Sequence, residues 1–280
     1  MKAEELYQIL EKDFIKPGLS DDWSQYMGEI EEFLSDNFKA RSMGLVCDFA
    51  SEINSVYSAV FPTQEVMEKI LGGEAENAML FVHHPSIWDI QRNPVFYQMP
   101  RDLLEKFKER KISIYNLHVP LDNYSEYSTS NTLADALGLK FEKPFASYFG
   151  SMAGVIGTFE GDVQSLKLKF EAALGHKSVL YDYGNNEIVG GRVAVVAGGG
   201  LGETIEEIAQ NKINLLVTGI TALTSHSQKN HDFAREHKIN LLGGTHYSTE
   251  KFACQAMCKY FGKLGLSCEF IEGEPGMEDM

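Results

Sequence analysis

The chain has 280 residues, a net charge of −15 and 44% hydrophobic residues. That is enough apolar material for one large α/β domain or two smaller ones, and it argues against disorder over most of the length. The acidic balance disfavours direct nucleic-acid binding, which draws on Lys and Arg to neutralise phosphates. No stretch reaches the roughly 18–20 apolar residues that cross a bilayer, and the opening MKAEELYQIL lacks the apolar core of a signal peptide. The expected address is therefore cytoplasmic, with no membrane partner.

Helical periodicity covers residues 3–13 and 22–36, separated by the breaker Lys16-Pro17-Gly18-Leu19-Ser20, with Ser20, Asp21 or Asp22 as cap. Residues 44–49 and 55–60 read as strands, and Thr63 caps a helix that runs through Ile70. The apolar run Met79–Val82 reads as a buried strand, Pro100 opens a helix to Arg110, and 112–117 is again strand-like. Further strands are expected near 152–159, 178–183, 192–197, 213–218 and 239–242, with helices near 162–174, 201–211 and 226–237. Strands alternating with helices imply crossover connections and a largely parallel or mixed sheet. The predicted fold is two α/β domains: residues 1–127 plus 244–280, and residues 128–243. The acidic tail from Glu272 reads as frayed.

Four cysteines, Cys47, Cys254, Cys258 and Cys268, form no CxxC pair and read as reduced apolar residues. Cys254 and Cys258 lie one turn apart, as a metal pair would, yet the apolar spacing of FACQAMCKYF points that face into the core.

Polar side chains at the carboxyl ends of parallel strands face the crevice where open α/β sheets bind ligands. Three segments deliver donors there. His83-His84 follows Met79–Val82, and NLHVPLD ends the strand 112–117 with His118 and Asp122. GGTHYSTE ends the last strand, with His246 just before a helix and Glu250 four residues on. Each alone is a rim histidine or a helix cap. Side chains adjacent on an extended backbone diverge, so His83 and His84 are expected to serve different ions or different edges of a cleft. His83, His84, Asp122, His246 and Glu250 form a mixed imidazole and carboxylate set suited to Zn, Mn, Fe or Co. Five ligands exceed one open catalytic ion and fit two divalent ions bridged at roughly 3.5–4 Å.

The segments FVHHPSIW, NLHVPLDNYSEYSTSNTLADALGL, GRVAVVAGGG and GTHYSTEKFACQAM resemble, in order, those of the NGG-interacting-factor-three-like family, whose members are often labelled GTP cyclohydrolase I type two homologues. The resemblance covers most of the chain beyond about the first 40 residues. It implies a dinuclear metal centre in the cleft between two α/β domains, held by His83, His84, Asp122, His246 and Glu250. Glu250 would be the bridge, with His118 nearby as a supporting or acid/base group. It also implies a homo-oligomeric ring, often a hexamer, and a small-molecule substrate such as a nucleotide. Two departures stand out. Where relatives commonly read Gly-His or Gly-His-His before Ala-Thr-Glu, this chain has Thr245-His246-Tyr247 and then Ser248-Thr249-Glu250, so the ligand spacing survives while a neighbour changes. Ile220 follows Thr218-Gly219 where many relatives carry a glutamate, which bears on substrate handling.

The loop Gly198–Gly202 after a strand invites a phosphate reading, but it matches neither G-x-G-x-x-G nor a Walker loop, and a tight strand-to-helix turn explains it. His226, His231 and His237 are unevenly spaced and are expected at solvent or rim positions, while Tyr115 and Trp88 adjoin the donor segments as cavity walls or core. A metal-dependent hydrolase is the leading expectation. A non-catalytic metal-binding, metal-delivery or regulatory interaction protein needs the same ligands.

Overall fold

The computed structural model describes residues 1–89 and 95–280. In α1 (Ala3–Phe14), buried Ala3, Leu6, Leu10 and Phe14 recur at three- and four-residue spacing and form one apolar stripe. Two 3-10 turns, Trp23–Tyr26 and Gly28–Phe33, replace the single helix expected over 22–36. Met27 (φ −110°) and Ile30 (φ −123°) leave the helical region, so Trp23, Ile30 and Phe33 enter the core from a kinked path. Ser35 restarts the chain by accepting the Phe38 N–H at the head of α2 (Asp36–Arg41).

Strands β1 (Gly44–Cys47) and β2 (Ser55–Ala59) follow, then α3 (Gln64–Gly72) capped by Thr63, and β3 (Ala78–Val82). Next come an antiparallel ribbon of β4 (Ile87–Asp89) and β5 (Val95–Tyr97), α4 (Arg101–Glu109), β6 (Ile112–Asn116) and the short α5 (Val119–Asp122). The chain continues through α6 (Thr129–Ala136), β7 (Lys140–Tyr148), β8 (Ser151–Thr158), α7 (Val163–Leu174), β9 (Val179–Tyr181) and β10 (Arg192–Val196). It ends with α8 (Leu201–Gln210), β11 (Leu215–Thr218), α9 (Gln228–Glu236), β12 (Asn240–Gly243), α10 (His246–Lys263), β13 (Ser267–Phe270) and a 3-10 turn, Met277–Asp279. That last turn lies in the tail expected to fray. No helix among the described residues is long and apolar enough to cross a membrane.

The chain packs as two units. The first comprises Met1–Leu121, Phe149–Ser151 and Cys254–Gly273; the second comprises Asp122–Tyr148, Met152–Ala253 and Glu274–Met280, so the division runs through α10. The first unit holds a five-stranded sheet in the order β1-β6-β3-β2-β13, parallel except for β1. Strand β3 is buried on both faces. Ala78, Leu80 and Val82 join Val66, Met67 and Ile70 of α3 and Leu104 and Phe107 of α4. Phe81 meets Phe261 at 5.5 Å between ring centroids. Double coverage explains why β3 is a continuous apolar run rather than an alternating one. Each such Leu, Val or Phe contributes about 1.5–3 kcal/mol.

The second unit holds a six-stranded sheet, β7-β8-β10-β11-β12-β9, with β10, β11 and β12 parallel and β8 and β9 antiparallel to their neighbours. Alternation along β10 divides its side chains between two cores. Val193 and Val195 pack with Leu166 and Phe170 of α7, whereas Ala194 and Val196 pack with Leu201, Ile205 and Ile208 of α8.

Two details correct the sequence reading. Cys47 and Cys254 are buried as expected, but Cys258 and Cys268 are only half-buried, with their sulfurs 2.8 Å apart, because β13 is the edge of its sheet. His231 is fully buried rather than at a rim, its ring held between the Tyr183 hydroxyl (2.9 Å) and the Thr221 carbonyl (3.0 Å). Burial lowers its pKa, since the charged ring would lose its hydration.

Candidate metal centre

In the first unit the parallel strands β3 and β6 both end in imidazoles. His83 and His84 are buried, and their backbone N–H groups extend the ladder to the Ala59 and Val60 carbonyls (3.2 and 2.9 Å). The chain bends at His83. The two rings therefore do not diverge as an extended dipeptide would have them. Their centroids lie 4.2 Å apart, and His118 approaches His84 at 4.7 Å and His83 at 5.4 Å. One ring nitrogen from each of the three lies within 4.8 Å of the others.

The hydrogen bonds around these rings select protonation states. His83 Nδ1 sits 3.0 Å from the Leu117 carbonyl, an acceptor, so the neutral ring carries its proton on Nδ1 and its lone pair on Nε2. The Asn116 side-chain amide donates to the His83 carbonyl and fixes the backbone as well. His118 Nδ1 meets two groups with opposite demands: the Trp23 indole N–H, which only donates (2.9 Å), and the Asp21 carboxylate (2.9 Å), which when ionised only accepts. A proton on Nδ1 satisfies Asp21 and puts the lone pair on Nε2; a bare Nδ1 satisfies Trp23. Aromatic rings complete the wall. Phe61 stacks on His84 at 4.8 Å and 15°, and the Trp23 edge meets His84 at 5.7 Å and His118 at 5.4 Å.

In the second unit, β12 ends in Gly243, and Thr245 starts α10 with a reciprocal cap. The Ser248 N–H donates to the Thr245 hydroxyl (3.1 Å), and the Thr245 N–H donates to the Ser248 hydroxyl (3.1 Å). His246 is the first residue of the helix rather than the one before it. One turn on, Glu250 brings a carboxylate oxygen 3.1 Å from His246 Nε2, and both residues are buried. A side chain at Gly198 would place its Cβ 2.2 Å from Glu250 Oε1 and displace that carboxylate, and the backbone there, at φ +69°, favours glycine. The Gly198 N–H is taken by the Thr249 hydroxyl (3.0 Å) and the Gly200 N–H by the Thr218 hydroxyl (3.2 Å). These two amides of the loop are already bonded within the fold, which favours the strand-to-helix turn over a phosphate cradle.

Asp122 ends α5, and its Oδ1 accepts the Thr129 hydroxyl at 2.7 Å. Among the described residues, no group of three mutually close donors joins Asp122 to His246 and Glu250. Tyr115 is core, stacked on Tyr7 at 5.7 Å, and Trp88 is exposed. Four neighbours carried no sequence reading as site residues: Asp21, Trp23, Phe61 and Asp279. Phe61 alone had a usable signal, because it follows the carboxyl end of β2 as His83 follows β3. Asp279 accepts the His246 N–H at 2.7 Å from 33 residues away. Burial pushes its carboxyl up to about 6, opposed by the bond from the His246 N–H.

The donor chemistry of each unit fits a divalent ion of borderline softness: clustered imidazoles in the first, with the His83 hydrogen bond leaving Nε2 for a ligand, and an imidazole and carboxylate pair on a helix in the second. A model of the Duf34/NIF3 (NGG1p interacting factor 3) family matches residues 20–275. A protein of Pyrococcus horikoshii named GTP cyclohydrolase 1 type 2 homolog is 31% identical over 248 residues, covering 84% of this chain and 90% of its own length. A homologue of the same name from Borreliella burgdorferi is 28% identical over 223 residues, covering 79% of this chain and 82% of its own. Among solved structures, protein ybgI, described as of unknown function, shares the fold with a TM-score of 0.76 at 23% identity, over 99% of this chain and 100% of its own. Reduced HcgD from Methanocaldococcus jannaschii does so with a TM-score of 0.67 at 22% identity, over 98% of each chain. The chain belongs to the Duf34/NIF3 family.

Proposed function

We propose that this protein binds two divalent ions of the Zn, Mn, Fe or Co class per chain and is a metal-dependent hydrolase of a nucleotide or related small molecule. The residues that would hold them are His83, His84, Asp122, His246 and Glu250. The observation that carries this reading is the convergence of buried His83 and His84, each with a ring nitrogen within 4.8 Å of the other's, with His118 within the same distance as the neighbouring group. Support also comes from relatives named GTP cyclohydrolase 1 type 2 homolog, which point to a purine nucleotide as the first substrate class to try. The reading extends to a cytoplasmic homo-oligomer of hexameric form.

Bound ions would supply Lewis acidity and an activated water. The chain's own residues do the rest. The Leu117 carbonyl aims His83 Nε2, and Glu250 sets the face that His246 Nε2 presents. His118 is the acid/base group. With Nδ1–H donated to Asp21, its Nε2 takes a proton from the attacking water and returns it to the leaving group. Phe61 and Trp23 shield the imidazoles from bulk water.

The test is turnover. Protein reconstituted with Mn, Fe, Co or Zn and offered GTP and a phosphoester panel is expected to hydrolyse at least one, and His83→Ala and Glu250→Ala are expected to abolish it. Activity that persists in both variants contradicts the reading, and metal binding without turnover on any substrate assigns a storage or regulatory role instead.

A further inference from the structure

The 3-10 turn Met277–Asp279 lies beyond the family match, which ends at residue 275, and makes three bonds to the rest of the second unit, to which it belongs. Its Asp279 carbonyl accepts from Thr221 and Ala222 N–H (both 2.8 Å), and its carboxylate accepts from His246 N–H (2.7 Å). Thr221 and Ala222 follow Thr218 and Gly219, which donate to the carbonyl of Gly198, the residue whose N–H donates to Thr249 and whose Cβ position adjoins Glu250. The turn is thus pinned at two points.

The initial N–H groups of an α-helix have no partner within the helix. In α10 the capping box accounts for the N–H of Ser248, the third helical residue, and leaves that of His246, the first. Asp279 accepts that one, and its negative charge lies at the positive end of the helix dipole. The group it holds is the backbone of one candidate ligand, one turn before the other. Asp279 is 7% exposed, so water does not substitute for it freely.

We propose that Asp279 is a positioning residue for the metal pair: by holding the His246 N–H it fixes the start of α10 and with it the approach of His246 Nε2 to Glu250. The affinity readout below rests on the metal-binding reading; the exchange readout does not.

Asp279→Ala and Asp279→Asn are compared with the parent protein in two measurements. In the first, Mn or Zn is titrated against a chelating dye at matched folded fraction, judged by circular dichroism. The expected loss of affinity for Asp279→Ala is about 10-fold or more, the usual scale for removing a group that orients a ligand. Asp279→Asn keeps an oxygen that accepts from His246 N–H and is expected to restore most of it. In the second, amide hydrogen exchange over residues 244–253 without metal is expected to quicken about 5-fold in Asp279→Ala, as on loss of a helix cap, and less in Asp279→Asn.

A parent that binds metal, with both variants binding equally tightly, overturns the inference and leaves the function standing. A lower melting temperature with unchanged affinity and unchanged exchange overturns it too, since that is the mark of a packing role. A parent that takes up no metal removes the proposed function, and the exchange result then decides the positioning role by itself.

Discussion

His83 and His246 both follow the carboxyl end of a parallel strand, yet the fold holds them by opposite means. His83 is placed through its side chain: the Leu117 carbonyl takes Nδ1, and Phe61 and Trp23 pack around its neighbours His84 and His118. His246 is placed through its backbone, with Asp279 holding its N–H, Thr245 and Ser248 capping the helix, and Gly198 leaving room for Glu250. Packing of side chains degrades by volume, whereas a capped helix start degrades by single hydrogen bonds. The two candidate donor clusters, one in each unit, are therefore expected to fail differently.

The sharpest contrast comes from Trp23→Ala, which empties a core position and removes the indole N–H from His118. It is expected to cost about 3–5 kcal/mol in urea unfolding. Trp23→Phe keeps most of the volume and loses only the hydrogen bond, so a cost of about 1 kcal/mol is expected. Equal costs for the two would mean that the indole N–H, not its packing, dominates.

Gly198→Ala strikes the other cluster. Its Cβ would meet Glu250 Oε1 at 2.2 Å in a left-handed backbone at φ +69°, which itself costs a non-glycine residue about 1–2 kcal/mol. Metal affinity is expected to fall by about 100-fold, the upper scale for disturbing groups around a ligand. Unchanged affinity would show that the His246 and Glu250 pair does not bind metal.

Thr249→Val conserves shape and deletes the hydroxyl that accepts from Gly198 N–H at 3.0 Å. A buried N–H left without its acceptor is expected to cost about 1–3 kcal/mol in thermal or urea unfolding, with no change in volume to confuse the result.

The smallest effect is a control away from both donor sets. Glu171 in α7 is held by Lys167, Lys177 and the Ser178 N–H, which lower its pKa from 4.5 to about 2. A carboxyl lowered in the folded state contributes stability above about pH 4.5 that is lost as pH falls toward 2. Glu171→Gln is expected to flatten the stability curve in that window and nowhere else. A flat curve in the parent would show that these bonds do not bias the carboxyl.

Much of this arrangement was legible in the sequence. The apolar run of β3 ending in His83-His84 identified a doubly covered strand with polar groups at its carboxyl end, and His246 and Glu250 four residues apart identified one face of a helix start. Their surroundings were not legible. Asp21 and Trp23 reach His118 across 97 and 95 residues, and a periodic pattern over 22–36 reads as one helix because the kinks at Met27 and Ile30 leave no mark in the spacing of apolar residues. Asp279 sits in an acidic, Pro- and Gly-containing tail whose composition argues for fraying; only its contacts with His246, Thr221 and Ala222 reveal that it docks. The bend at His83 likewise reverses the divergence that an extended dipeptide implies.

The central claim is that these donors hold metal. Elemental analysis of the purified protein, repeated after reconstitution with Zn, Mn, Fe or Co, tests it most directly. The expected result is about two equivalents per chain, the stoichiometry of a dinuclear site, falling in His83→Ala and Glu250→Ala. A folded protein that retains no metal after reconstitution would contradict it.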